Sequence, residues 1–318
     1  MRWLVTGGVG FIGFHVTRAL LLRGDDVVVL DDFSDAPYPA AHKRRNAEDL
    51  RALAPAVRIE TGCVTDALRV GELLGGVAGV VHLAGLAGVR PSFQSPARYA
   101  RVNVEGTATV LRLALERGLR RVVFASSSSV YGNSTPLPAR EEARADDPAS
   151  PYAATKRAAE LVASALALAA PEASVAALRF FTVYGPRQRP EMAITRFCRA
   201  ALRGDAVPLF GDGSMRRDFT HVDDITRGVL AAADAAPRGF RVYNLGSSSP
   251  VDLATLLALI GEVAGRAVPA VATAVPLGDV EATFADTSRA RGELGWAPRI
   301  PLRDGLRTVM DWLRRAPD

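Results

Sequence analysis

Near its start the chain reads Arg2-Trp3-Leu4-Val5-Thr6-Gly7-Gly8-Val9-Gly10-Phe11-Ile12-Gly13, a short apolar run that breaks into glycines at three-residue intervals. Residues 3–5 have the β-branched and aromatic character of a strand, and the segment after the glycines is apolar enough to be a packed helix. In a strand–turn–helix of this kind Gly7 permits the tight turn, Gly10 lets the backbone come close to a bound group, and Gly13 lets the helix approach the strand. The first turn of any helix carries N–H groups without intrahelical partners and the positive end of the helix dipole. The backbone around Gly7, Gly10, Phe11, Ile12 and Gly13 is therefore a candidate cradle for a pyrophosphate. Asp31 closes the next apolar run, eighteen residues after Gly13. A carboxylate in that place accepts hydrogen bonds from ribose hydroxyls and repels a 2′-phosphate, so the expected cofactor is NAD and not NADP.

Working outward, β-branched runs recur at 27–30, 57–59, 80–83, 122–124 and 175–178, with amphipathic stretches at 97–116, 152–169 and 223–235. That alternation predicts an α/β fold with a doubly wound parallel sheet of Rossmann type. After Gly185 the alternation loosens around Pro186, Pro190, Pro208, Gly211 and Gly213. Strand character returns at 241–244, and helical patterns follow at 251–263 and 302–313. The sequence thus predicts an NAD-binding domain over 1–181, to which 219–246 returns. A smaller, discontinuous α/β substrate lobe takes up most of 182–318.

Composition narrows the partners. Of 318 residues 48% are hydrophobic, yet no run approaches the roughly 20 apolar residues of a membrane span. The N-terminus has no secretory pattern, so a soluble, cytoplasmic protein is expected. Cys63 and Cys198 stand far apart without a CxxC or a histidine cluster, which argues against a metal site or a disulfide framework. The net charge of +5 comes from arginines interleaved with acids, and the one dense basic run, Lys43-Arg44-Arg45, has no nucleic-acid-reading motif beside it. An anionic small substrate suits such a surface better. Lysine occurs only at Lys43 and Lys156.

The second of those lysines falls in Tyr152-Ala153-Ala154-Thr155-Lys156, on a predicted helix that follows the serine run Ser126-Ser127-Ser128-Ser129-Val130-Tyr131-Gly132. A four-residue spacing puts Tyr152 and Lys156 on one helix face. The ammonium is then expected to bring the phenol's pKa down from about 10 and to hold a nicotinamide ribose. A serine hydroxyl at the strand end would share the same substrate oxygen. His82, at the end of a strand, reads as a packed core histidine. Asp66 has two open readings, a ligand of the adenine amino group or the cap of the next helix.

Thr6–Gly13, the serine-rich strand end with Val130-Tyr131-Gly132, and Tyr152–Lys156 together resemble the extended short-chain dehydrogenase/reductase superfamily and its NAD-dependent epimerase/dehydratase family. The likeness covers essentially the whole chain. It implies Tyr152 as acid–base on a sugar hydroxyl, Lys156 as its partner, and Ser127 as the residue that orients the oxygen. Related dehydratases and decarboxylases carry carboxylates just before the equivalent Tyr131 segment. Here Ser128 and Ser129 stand instead, which disfavours elimination and decarboxylation and leaves epimerisation or net oxidoreduction.

The later segments refine the resemblance. Arg179–Pro186 looks like the family's entry to its substrate lobe, with Thr182 in place of the more common Asn. Arg216–Asp224 looks like the segment whose arginine, here Arg217, pairs with a diphosphate, and Asp279 stands where the family binds a uridine ribose. Thr182, Arg187–Ala193 and Met215–Phe219 most resemble UDP-glucuronate 4-epimerases. In that resemblance Ser128, Ser129, Thr182 and Arg189 form a set for a substrate carboxylate. Glu191 departs from the usual Asp. The implied function is NAD-dependent 4-epimerisation of a UDP-sugar, UDP-glucuronate to UDP-galacturonate through a transient 4-keto intermediate, by a homodimer. Epimerisation of UDP-glucose or a UDP-N-acetylhexosamine is the enzymatic alternative, and a non-catalytic dinucleotide-sensing protein is the alternative from a different class.

Overall fold

Seven parallel strands make one sheet in a computed structural model that describes residues 1–35, 37–274 and 280–315. The sequential strands are β1 (Arg2–Thr6), β2 (Asp26–Asp31), β3 (Arg58–Thr61), β4 (Gly79–His82), β5 (Arg121–Ser127) and β6 (Ser174–Phe180). The seventh is Gly239–Leu245, which pairs with β6 over its full length, from Gly239 opposite Ser174 to Leu245 opposite Phe180. Across the sheet the order is 239–245, β6, β5, β4, β1, β2, β3. The order reverses between β1 and β4, and the crevice at the carboxyl ends of those strands is where ligands settle in open α/β sheets.

Both faces of the sheet are covered, which explains why the strands read as unbroken apolar runs. On one face Trp3, Val5, Val29 and Val123 pack against Phe14, Val16 and Leu20 of α1 (Phe11–Leu22) and against Ile225 and Val229 of the helix Val222–Ala235. On the other, Leu4, Val28, Val80 and Phe124 meet Val110, Leu111 and Ala114, together with Ala159, Ala163 and Ala167. Full burial of each such side chain contributes about 1.5–3 kcal/mol.

The helices around these strands, in chain order, are α2 (Ala40–Leu53), α3 (Ala67–Leu73), α4 (Val89–Gln94), α5 (Pro96–Ala100), α6 (Gly106–Glu116) and α7 (Pro151–Leu168). The stretch expected as one helix over 97–116 is instead α5 and α6 joined through a π-helical turn at Arg101–Glu105. Such turns widen the helix locally and are often found at functional sites. The expected helix at 251–263 also begins differently. Val251–Asp252 first pairs antiparallel with Arg216–Arg217, and the helix Leu253–Ala264 follows with Asp252 capping the Thr255 amide at 2.7 Å.

Past β6 the chain builds a separate core from Tyr184, Ile194, Phe197, Leu256, Ile260, Leu306, Val309 and Met310. Cys198 belongs to this core, and burial pushes its thiol up to about 12. Among the described residues no helix is long and apolar enough to cross a membrane, and no group of three or more His, Cys, Asp or Glu could hold a metal ion.

Candidate active site

One cavity of about 640 Å³ runs along the crevice from the glycine turn to the second core, a size typical of small-molecule sites. The turn after β1 forms part of its wall. Gly7 has φ +70°, and a Cβ there would stand 2.6 Å from the Ala84 amide nitrogen. At Gly13 a Cβ would lie 2.0 Å from the Gly7 carbonyl oxygen. Both contacts are with backbone, so neither position accepts a side chain without moving β4 or α1. Gly10, Phe11, Ile12 and Gly13 line the cavity, and the first amides of α1 open towards it.

Asp31 lies at the end of β2, buried, also in the cavity wall. Its carboxylate accepts from Lys43 Nζ at 3.0 Å and from the Phe33 amide at 3.0 Å. Lys43 also donates to Asp32 at 3.1 Å. Burial raises the pKa of Asp31, and Lys43 opposes that shift by charge and hydrogen bond. A glycine turn with free amides, a wall that excludes side chains and a buried paired carboxylate together fit the pyrophosphate and adenosine ribose of NAD. Asp66 stands apart. It is exposed, outside the cavity wall, and caps α3 by accepting from the Arg69 amide at 3.0 Å. Of its two open readings the structure displays the cap.

The reactive side chains come together halfway along the cavity. Ser127 ends β5, Ser128 and Ser129 follow in a single 3₁₀ turn, and Tyr152 and Lys156 project from α7. The Ser127 hydroxyl stands near the Tyr152 phenol and donates to Ser129 Oγ at 3.1 Å. Lys156 Nζ donates to the Ala125 carbonyl at 2.9 Å. Burial lowers the pKa of Lys156 to about 8, with the charge of Glu160 opposing it.

The phenol departs from expectation. Burial raises its pKa, while the Ser127 hydroxyl and the charge of Arg189 pull the other way. The spacing places both side chains on α7, and the ammonium donates to the Ala125 carbonyl of β5.

Thr182, Arg189 and Arg217 line the outer half of the same cavity, and Asp279 lies outside the described residues. Arg189 follows two anchored residues. Arg187, at φ +67°, bonds Asn46 Oδ1 and Asp49 Oδ2 at 2.5 Å each and stacks on Phe14 at 4.0 Å. Gln188 is held by the Val183 carbonyl and Thr195, each at 2.8 Å. Immediately after these anchors Arg189 lines the cavity, with its guanidinium 3.1 Å from the Glu191 carboxylate. Arg217 donates to the Arg216 and Glu281 carbonyls at 3.0 and 3.3 Å, which orients it along the short strand pair.

Residues 3–246 match the family model described as "NAD dependent epimerase/dehydratase family". The chain belongs to that family. UDP-glucuronate 4-epimerase 3 of Arabidopsis thaliana is 39% identical, covering 97% of this chain and 75% of that relative. Among solved structures, MoeE5 has been determined with UDP-glucose and NAD and with UDP-glucuronic acid and NAD. It is 39% identical, has a TM-score of 0.87, and covers 99% of both chains. The UDP-glucuronic acid 4-epimerase of Bacillus cereus, in complex with UDP-glucuronic acid and NAD, is 31% identical with a TM-score of 0.91, again over 99% of both chains.

Several residues of this epimerase/dehydratase site were missed in the sequence. Asn103, in the π-turn, bonds the Leu86 amide at 2.7 Å, its carbonyl at 3.0 Å and Thr155 Oγ1 at 3.0 Å. It ties the loop after β4 to α7, one residue from Lys156. Its signal was a polar residue on the buried helix face, four from Tyr99 and four from Thr107. Glu160 is completely buried behind Lys156. It accepts from Ser126 at 2.5 Å and from Arg179 through two parallel bonds at 2.9 and 2.8 Å. Lys43 had a weak signal, being one of two lysines in the chain. His82 is a core residue, as expected: it bonds Thr6 and Thr107 at 2.6 and 3.0 Å, and burial lowers its pKa to about 3.

Proposed function

We propose that the protein is an NAD-dependent UDP-sugar 4-epimerase that interconverts UDP-glucuronate and UDP-galacturonate. The observation that carries this reading is the company of Tyr152. Ser127 acts on the phenol, lowering its pKa, and Arg189, Ser128, Ser129 and Thr182 share its cavity, so a cation and hydroxyl donors suited to a carboxylate accompany the acid–base. The likeness to MoeE5 and to the Bacillus cereus enzyme, both solved with UDP-glucuronic acid and NAD, supports the same reading.

NAD bound along the glycine turn, with its ribose on Asp31, would supply a reversible two-electron oxidation at C4. The chain supplies the rest. Tyr152 Oη takes the C4 hydroxyl proton and returns it, Ser127 Oγ orients the sugar oxygen, and Lys156 holds the cofactor's nicotinamide ribose. Arg217 takes the diphosphate. A C4 ketone β to a carboxylate is prone to lose CO₂. The Arg189 guanidinium, with hydroxyl support from Ser128, Ser129 and Thr182, opposes this by holding a charge that departing CO₂ would give up. Neither Ser128 nor Ser129 offers a carboxyl group for elimination.

A second reading is favoured by one observation. Glu191 already engages Arg189, so the guanidinium is not waiting unpaired for a substrate acid, and neutral UDP-glucose is a competing substrate. Turnover of UDP-glucuronate and UDP-glucose by the same preparation, with chromatographic identification of products, separates the two. A homodimer paired through α6 and α7 completes the proposal. It is supported by the exposed Leu161 and Leu168 on α7, and the mass in solution tests it. A reducing, cytoplasmic setting accords with Cys63 and Cys198 as free thiols.

A further inference from the structure

We propose that Glu191 is an internal rival for Arg189, holding the guanidinium that a substrate carboxylate would take and thereby setting the preference of the site between carboxylated and neutral sugars. The proposal rests on the reading that Arg189 receives the uronate acid. Arg189 and Glu191 both line the cavity, with an Nη1 to Oε1 separation of 3.1 Å. The contact is close but poorly aligned, since Arg189 Nη1 is buried and has no hydrogen-bond partner of acceptable geometry. Nη2 spends itself on the Met192 sulfur at 3.3 Å, a weak acceptor. A planar guanidinium left in this state keeps most of its capacity for a carboxylate that approaches in its plane.

The mobility of the two partners differs in the direction the proposal needs. Arg189 is only 16% exposed, and its loop is anchored through Arg187 and Gln188, so the cation stays where it is. Glu191 is 44% exposed and can rotate into water, where its charge is well solvated. Exchange of one carboxylate for another therefore requires a single exposed side chain to move. The charge of Arg189 reaches the Tyr152 phenol, so an anion seated on the guanidinium lies next to the acid–base. A neutral hydroxymethyl group has nothing to offer the guanidinium, and for such a sugar Glu191 can remain in place.

A half-exposed ion pair contributes at most about 1 kcal/mol, which is a factor of about five in affinity. Glu191→Gln keeps the size of the side chain and removes its charge. With the full-length, NAD-loaded protein, calorimetric titration should give a Kd for UDP-glucuronate about three- to fivefold lower in Glu191→Gln than in the parent, and the same Kd for UDP-glucose in both. In an Arg189→Ala background the gain should vanish, because there is no longer a cation to compete for. The proposal is overturned if Glu191→Gln leaves the ratio of the two Kd values unchanged or shifts it towards UDP-glucose while Arg189→Ala still weakens UDP-glucuronate. If Arg189→Ala leaves UDP-glucuronate affinity intact, the carboxylate role of Arg189 fails and the proposal fails with it. Equal melting temperatures of parent and variants show that the comparison is between folded proteins.

Discussion

Replacing Glu160 with Gln should cost the protein a large part of its stability, and the reason lies wholly in burial. Glu160 is inaccessible to solvent and Arg179 is 2% exposed. They meet through two parallel bonds at 2.9 and 2.8 Å, with Ser126 on the same carboxylate. Burial pushes the carboxyl pKa up, but Arg179 outweighs it by hydrogen bond and charge and holds it below the ordinary value. The amide of Gln removes one acceptor and the compensating charge, leaving the Arg179 guanidinium sealed under Tyr131, whose ring lies 4.7 Å away. Arg157 donates to the same carboxylate at 3.2 Å but, being 26% exposed, keeps some contact with water. An uncompensated buried charge costs about 3–5 kcal/mol, against a total of about 5–15 kcal/mol for a folded protein. Thermal unfolding followed by circular dichroism should show a fall in Tm of about 4 to 8 °C. The doubly apolar Glu160→Leu with Arg179→Met should recover much of the loss, since both charges go together. A Glu160→Gln variant within about 1 kcal/mol of the parent would refute the claim that this pair is a desolvated unit behind the catalytic strand.

Three further outcomes follow from the site. Tyr152→Phe should lower turnover by about 10²- to 10⁴-fold, the usual contribution of a positioned acid–base, with NAD affinity retained; a near-normal rate would remove Tyr152 from its role. Because burial lowers the Lys156 pKa to about 8, its charged form is full below that value and is lost as pH rises through it. The kcat/KM profile should therefore fall above about pH 8, and Lys156→Arg, which keeps its charge, should not show that limb; a parent profile flat to pH 10 would contradict the assignment. Arg189→Ala should reduce kcat/KM for UDP-glucuronate by roughly 2–4 kcal/mol while raising the UDP-pentose share of the residual product. An equal loss on UDP-glucose would show that Arg189 does not act through the carboxylate.

What could be read before the structure was whatever depends on periodicity and local backbone demands. Unbroken apolar runs revealed strands covered on both faces, and the glycines from Gly7 to Gly13 marked a turn that forbids Cβ atoms. The return of 239–245 to the sheet was legible because its strand character reappears after a helix. What was not legible depends on reach across the fold. Lys43 finds Asp31 only because the start of α2 folds back beside β2, and nothing in its own neighbourhood announces that. Asn103 lies in a stretch whose pattern is that of an ordinary helix, and the π-turn shows only in the backbone. Asp66 offered a ligand or a cap with the same residue type at the same place, so sequence could not choose between them. The four-residue spacing of Tyr152 and Lys156 determined a shared face but not where the ammonium ends, and it ends on the Ala125 carbonyl. The resemblance offers Arg189 as a cation for an acid, whereas its engagement by Glu191 shows only in the conformation of the loop between them.

The most direct test of the account is a single incubation of the purified protein with UDP-glucuronate and no more NAD than fills its sites. Because the oxidation at C4 is returned within each turnover, UDP-galacturonate should accumulate towards equilibrium over many turnovers, with no net NADH and only traces of UDP-pentose. NADH formed in proportion to sugar consumed, or UDP-glucose converted while UDP-glucuronate is left untouched, would contradict it.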